Sequence, residues 1–211
     1  MHIQSQTRQP LALGLGFISM LAGFNMATQA AIYTFDNTAP ASVYSDPIVA
    51  SGTLYDSFST GGQASSITDL ELSLINPGPA TSDLITIGLY ADSSTTPGTL
   101  VSALGTISDN AISSSGGIYS VSLTSNPVLS ANTRYWIGLS ETGAGTACWK
   151  WSQDTSGVGV ANENFSSGGG TFPNSAGPYQ MAITVVPEPS EYAAYAGLAL
   201  VAFGAWRRVR R

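Results

Sequence analysis

The feature that most constrains this chain is an alternation of apolar and polar residues with a period of two, repeated between clusters of turn-forming residues. "ITDLELSLI" sets Leu70, Leu72 and Leu74 against Asp69, Glu71 and Ser73. "LITIGLYA" sets Ile85, Ile87 and Leu89 on one face and Thr86, Gly88 and Tyr90 on the other. "GIYSVSL" alternates through Tyr119, Val121 and Leu123, "RYWIGLS" through Tyr135, Ile137 and Leu139, and "PYQMAITVV" through Tyr179, Met181, Ile183 and Val185. Successive side chains of a strand point to opposite faces, so each stretch reads as a half-buried strand. Between them, "NPGPATSD", "ADSSTTPGT", "SSSGG", "TSNP" and "SSGGGTFPNSAGP" supply turn residues. No stretch between residues 31 and 186 carries an apolar period of 3.6. Roughly eight or nine such strands predict an all-β domain over residues 31–186, two antiparallel sheets packed as a jelly-roll-like β-sandwich.

A domain of this length buries roughly two-thirds of its unfolded surface and needs no covalent staple. Its single cysteine, Cys148, can form no internal disulfide. Only 9% of the 211 residues are charged, against about 25% in an average soluble domain. Within residues 31–186 the bases are Arg134 and Lys150. Eleven acids oppose them, namely Asp36, Asp46, Asp56, Asp69, Glu71, Asp83, Asp92, Asp109, Glu141, Asp154 and Glu163, for a formal charge of −9. Such a surface repels phosphate backbones, which excludes nucleic acid as a partner.

The sole histidine is His2. Without an imidazole, Ser-His and Cys-His nucleophilic catalysis closes, and so do zinc sites built from His and Cys. No catalytic residue and no metal ligand is therefore assigned. A paired-carboxylate glycoside hydrolase stays open as a lesser alternative, with Glu141 and Glu163, which flank the aromatic-rich region, as its acids. Solvated surface acids are the default reading of both. A structural calcium is conceivable at "ADSST", "FDN" or "NEN", but none follows the D-x-[DN]-x-[DN]-G pattern, so no ligand is named and no cofactor expected.

"TACWKWSQD" puts Trp149 and Trp151 on one face of a strand. If that face is buried they are core, the usual fate of tryptophan. If it is exposed they form a sugar platform with Lys150 or Gln153 as polar guides, the basis of an alternative reading as a carbohydrate-binding module. Trp136 falls on the face opposite Tyr135, Ile137 and Leu139, and is expected to be the more exposed. Cys148 is expected to be buried, with an interchain bond as the alternative.

Both ends read as addresses. Arg8, the apolar run Leu11 to Ala22 and the small residues of "ATQA" form a secretory signal over residues 1–30, with a cut after Ala30. At the other end, Tyr192 to Trp206 is a run of 15 uncharged residues. As a helix it covers roughly 22 Å, short of the ~30 Å hydrocarbon core. Arg207, Arg208, Arg210 and Arg211 follow it and hold that end on the cytoplasmic side. The segment is expected to act as a transmembrane stop of marginal permanence, with a simple membrane anchor as the alternative.

"VPEPSEYAAYAGLALVAFGAWRRVRR" resembles a PEP-CTERM sorting segment: Pro187-Glu188-Pro189, an apolar helix, then a basic cluster. The resemblance implies processing by an exosortase, a membrane transpeptidase-like enzyme, in a Gram-negative bacterium that makes extracellular polysaccharide. "LYDSF", "LYADSSTTPGTL", "NTRYWIGLS" and "GPYQMAI" resemble choice-of-anchor domains, which implies a secreted β-sandwich without a catalytic signature. On this reading residues 1–30 are a signal peptide, 31–186 an extracellular sandwich and 187–211 the sorting segment. The protein is expected to be non-enzymatic, exported across the inner membrane to the cell envelope, surface or matrix. Its role is then structural or adhesive in an exopolysaccharide or biofilm, with that polysaccharide as a partner.

Overall fold

The computed structural model describes residues 33–42, 44–79, 81–157, 159–167, 170–174, 177–188 and 190–210. The expectations for the signal segment, Pro189 and Arg211 fall outside the described residues, and so does the side chain of Glu163.

Two antiparallel sheets form the body. In the first, β1 (Tyr33–Asp36) pairs with β13 (Met181–Pro187), β13 with β4 (Ser65–Ile75), β4 with β10 (Cys148–Trp151), and β10 with β2 (Tyr44–Pro47). The short β7 (Gly117–Ser120) and β8 (Val128–Leu129) also pair with β4. In the second sheet the order is β12 (Thr171–Pro173), β11 (Val160–Ser167), β3 (Gly52–Ser59), β9 (Arg134–Glu141), β5 (Leu84–Asp92) and β6 (Pro97–Ser108). The expected all-β, two-sheet sandwich is what forms. A 3₁₀ turn, Asp109–Ala111, follows β6, and a helix, α1 (Ser190–Val209), follows β13.

The alternating faces meet between the sheets. Leu70, Leu72 and Leu74 of β4 and Met181, Ile183 and Val185 of β13 are buried, as are Ile85, Ile87 and Leu89 of β5 and Ile137 and Leu139 of β9. In β4 the phase changes once. Val185 lies opposite Ile67 but Thr184 lies opposite Asp69, so Thr68 has no register partner on β13, although its hydroxyl donates to the Thr184 carbonyl at 3.3 Å. That bulge lets Ile67 and Leu70, three residues apart, both face inward.

More strands form than the pattern predicts. β2, β8 and β12 are each two to four residues long, too short to show an alternation, and of "GIYSVSL" only Gly117–Ser120 forms a strand, β7. β6 is long, but its register with β5 shifts at three places. Its alternation is broken accordingly, with Leu100 and Val101 both exposed and Leu104 buried.

Trp136 corrects the reading made from the pattern, because it is fully buried. β9 lies between β3 and β5, and Trp136 stands opposite Ser57 on one side and Tyr90 on the other. Its indole N–H donates to Asp92 Oδ1 at 2.9 Å. On the same outward side of β9, a Cβ at Gly138 would come within 2.5 Å of the Tyr90 ring and 2.7 Å of the Tyr55 ring. The two tyrosines meet edge to face at 5.1 Å. Period two tells which face a side chain takes, not whether that face is covered by its neighbours. Trp136→Ala is therefore expected to cost about 3–5 kcal/mol in chemical denaturation, the range for a core aromatic. A loss near 0.5 kcal/mol, typical of an exposed site, would restore the pattern-based reading.

Candidate functional site

Three places carry the sequence-derived candidates. The first is the junction between β13 and α1. Pro187 is buried and pairs across β13–β4 with Ser65. The Glu188 N–H donates to the Ala64 carbonyl at 3.0 Å, and its side chain accepts a hydrogen bond from the Ser66 hydroxyl. The first two residues of the Pro-Glu-Pro triplet thus belong to the sandwich, which runs two residues past the expected boundary at 186.

Beyond the triplet the environment changes. Every residue from Ala194 to Arg210 is exposed, Leu198, Leu200 and Val201 among them. Arg207 and Arg208 occupy the last turn of α1, where cations complement the unpaired carbonyls of a helix end. The Arg210 guanidinium lies 4.5 Å over the Trp206 ring. Among the described residues no helix is long and apolar enough to cross a membrane. The expected apolar helix forms as α1.

The second place is β10. Trp149 is fully buried, donates its indole N–H to the Gln180 carbonyl at 3.0 Å and stacks on Tyr179 at 4.7 Å with 14° between the rings. Trp151 is also buried, with the exposed Tyr44 ring 4.9 Å from it. The pair forms part of the core and presents no platform to a sugar, so Lys150 and Gln153 have nothing to guide. Cys148 is a buried free thiol, and that burial pushes its pKa up.

The third place lies at one end of the sandwich and gathers acids that the sequence scatters. Glu141 is the last inward-facing residue of β9, after Ile137 and Leu139, and stands opposite Ile85. It is 4% exposed, and neither carboxylate oxygen has a hydrogen-bond partner. The reading of Glu141 as a solvated surface acid is therefore wrong, since the alternation that builds the core carries it inside. Asp83 precedes β5 and Asp109 follows β6, and the Asp109 N–H donates to the Asp83 carbonyl at 3.1 Å. Asp109 is fully buried. Its Oδ2 accepts from the Thr81 N–H at 2.9 Å, while Oδ1 has no partner. The Thr81 hydroxyl sits 2.7 Å from both Asp83 Oδ2 and Asp109 Oδ2, so its one proton serves one of them at a time. Asn76 donates to the Asp109 carbonyl at 3.0 Å and accepts from Thr146 at 2.6 Å. Asn76, Thr81 and Asp83 are thereby tied to Asp109 and Thr146. Burial first, then the charges of Asp109 and Asp83, raise the Glu141 pKa to about 7.

The structure does not bring Glu141 and Glu163 together. Glu163 pairs with Asp56 of β3, and Asp56 pairs with Ile137 of β9. Two strand spacings across and four residues along put their Cα atoms roughly 16 Å apart, against carboxyl separations of about 5–9.5 Å in glycosidases. The acids of two of the oxygen-rich segments, Asp36 and Asp92, are hydrogen-bonded within the fold. Asp36 Oδ1 accepts from Thr38, and Asp92 accepts from Trp136 and Thr95. Among the described residues no group of three or more His, Cys, Asp or Glu side chains could hold a metal ion. No protein-family model matches the chain, and no curated protein matches it.

Between pH 4.5 and about 7, Glu141 is protonated in the fold while the same group in the unfolded chain is ionised. The stability this proton confers is complete below pH 4.5 and is lost as the pH rises through 7. In metal-free buffer, Glu141→Gln is accordingly expected to raise Tm by about 2–4 °C at pH 8 and to change it little at pH 4. Equal Tm values at both pH values would remove the ionisation penalty.

Proposed function

We propose that this chain is a non-enzymatic exported protein, delivered to the cell envelope by its C-terminal segment and cut at the Pro-Glu-Pro triplet by an exosortase-type membrane transpeptidase. Its sandwich then serves a structural or adhesive role in an exopolysaccharide matrix. The observation that carries this reading is the sharp change of environment at Glu188. Up to that residue the chain is hydrogen-bonded into a sheet, and beyond the triplet it is an apolar helix exposed on all its described faces. A helix that is apolar all round needs a cover that the sandwich does not give it. Too short to be a lasting anchor and ending in arginines, it suits a transient stop that a membrane enzyme acts on. The resemblance of residues 186–211 to a sorting segment supports the same reading, and the buried Trp149 and Trp151 favour it over a carbohydrate-binding module.

Intact-mass measurement of the mature surface form tests it. The expected product ends near Pro189 and lacks α1 and the arginines. A surface form that retains Arg211 would refute processing and leave a plain anchor.

A further inference from the structure

We propose that residues 142–146, the strap between β9 and β10, form a pH-sensitive latch that is closed over Glu141 while its carboxyl carries a proton and released when that proton leaves. Glu141 is 4% exposed, and both its oxygens are buried without a hydrogen-bond partner. The titratable groups that face it are Asp109 after β6, Asp83 before β5 and the Cys148 thiol of β10. Asp109 is itself fully buried, with Oδ1 unpartnered. Segments 76–83, 109–116 and 142–148 contain no lysine or arginine. The two bases of residues 31–186 lie elsewhere, Arg134 at the other end of β9 and Lys150 on the face of β10 opposite its buried tryptophans. A carboxylate at position 141 therefore meets neither a donor nor a cation, and its charge is uncompensated.

The strap is the part that can give way, because it is held only at its ends. The Thr142 N–H donates to the Leu84 carbonyl and the Leu84 N–H to the Thr142 hydroxyl, both at 3.0 Å. The Thr146 hydroxyl donates to Asn76 at 2.6 Å. Between these anchors no hydrogen bond ties Gly143, Ala144 or Gly145 to any described residue. The middle of the strap lies against the acids instead. A Cβ at Gly143 would collide with the Asp83 carboxylate, and one at Gly145 with the Glu141 carboxylate. Packing of this kind suits a neutral carboxyl, but it keeps water from an ionised one. Lifting a short strap disturbs far less structure than unfolding the sandwich, so local opening is the smallest change that hydrates the charge. Burial first, then Asp109 and Asp83, raise the Glu141 pKa from 4.5 to about 7, and these two values bound the window. Closure is strongest below pH 4.5, weakens as the pH rises towards 7 and levels off above it. With the opened carboxyl titrating at 4.5, the closed-to-open ratio falls by about 300-fold over that window.

The latch belongs to the sandwich and does not depend on the export reading. Amide exchange of the full-length protein between pH 5 and pH 8 tests it, read as protection factors so that the intrinsic pH dependence of exchange cancels. Protection of the Thr142 and Leu84 amides is expected to fall by about tenfold or more from pH 5 to pH 8, and at pH 8 to lie well below that of the paired β13 amides. Glu141→Gln keeps the size of the side chain but cannot ionise, and is expected to hold that protection within about twofold over the same range. Asp109→Asn removes the larger of the two neighbouring charges and is expected to leave a smaller fall. Asp154→Asn, at an exposed acid on another loop, is expected to keep the wild-type fall. Protection that is flat with pH in the wild type, or that falls equally in Glu141→Gln, would overturn the proposal. So would Thr142 and Leu84 protection equal to that of β13 at pH 8, because the strap would then open only with the whole fold.

Discussion

β13 and β4 pair antiparallel from Met181 opposite Leu72 to Pro187 opposite Ser65, and the first sheet is organised around that ladder. Leu72 of β4 pairs both with Met181 and with Tyr119, and Ser65 both with Pro187 and with Leu129. β4 is thus flanked on both sides, and its buried leucines form the middle of the core. β13 is itself interior, with β1 on its other edge. The sheet cannot close until the chain has delivered Met181–Pro187, the last strand before the helix. Trp149 and Tyr179 stack at the point where β10 and the segment leading into β13 come together. Losing β13 would strip β4 of one partner and take Ile183 and Val185 out of the core, whereas losing everything after Glu188 removes no pairing among the described residues.

The same geometry explains why the two ends of the sandwich differ. At one end the last hydrogen bonds of β13 fix Glu188 beside Ala64 and Ser66, and the chain leaves the fold. At the other, β9 ends on an inward carboxylate that meets two more acids at the adjoining ends of β5 and β6. A sandwich with a −9 formal charge over residues 31–186 gains nothing in solubility by burying acids. Glu141 and Asp109 instead concentrate negative potential where three loops converge. That cost is local, and at Glu141 it falls when the carboxyl is protonated.

Much of the fold was legible in the sequence because half-buried strands declare themselves through period two. Leu70 to Leu74, Ile85 to Leu89, Tyr135 to Leu139 and Met181 to Val185 all bury the face their alternation assigns. What stayed hidden needs information from across the sheet. β8 has two residues and no period, and the bulge at Thr68 shifts phase without a local signal. Trp136 obeys the alternation yet is buried, since its cover comes from neighbouring strands. Glu141 obeys it too, following Ile137 and Leu139 in phase, but its acidic nature argued for the surface. Counting it on the β9 face would have placed it inside. Asp83 and Asp109 lie far from it in sequence and carry no motif, so only the meeting of strand ends reveals the cluster. The tail was the reverse case, because its composition announced a separate segment, but only the Ser65–Pro187 pairing shows that the sandwich holds on to the first two residues of the triplet.

The fold ends at Glu188, and the helix beyond is not part of it. Hydrogen exchange on the full-length monomer tests it directly. The paired amides of β13 are expected to exchange only with global unfolding, and those of residues 191–210 many orders of magnitude faster, as in a marginal isolated helix. Protection of α1 equal to that of β13 would show instead that the helix belongs to the folded unit.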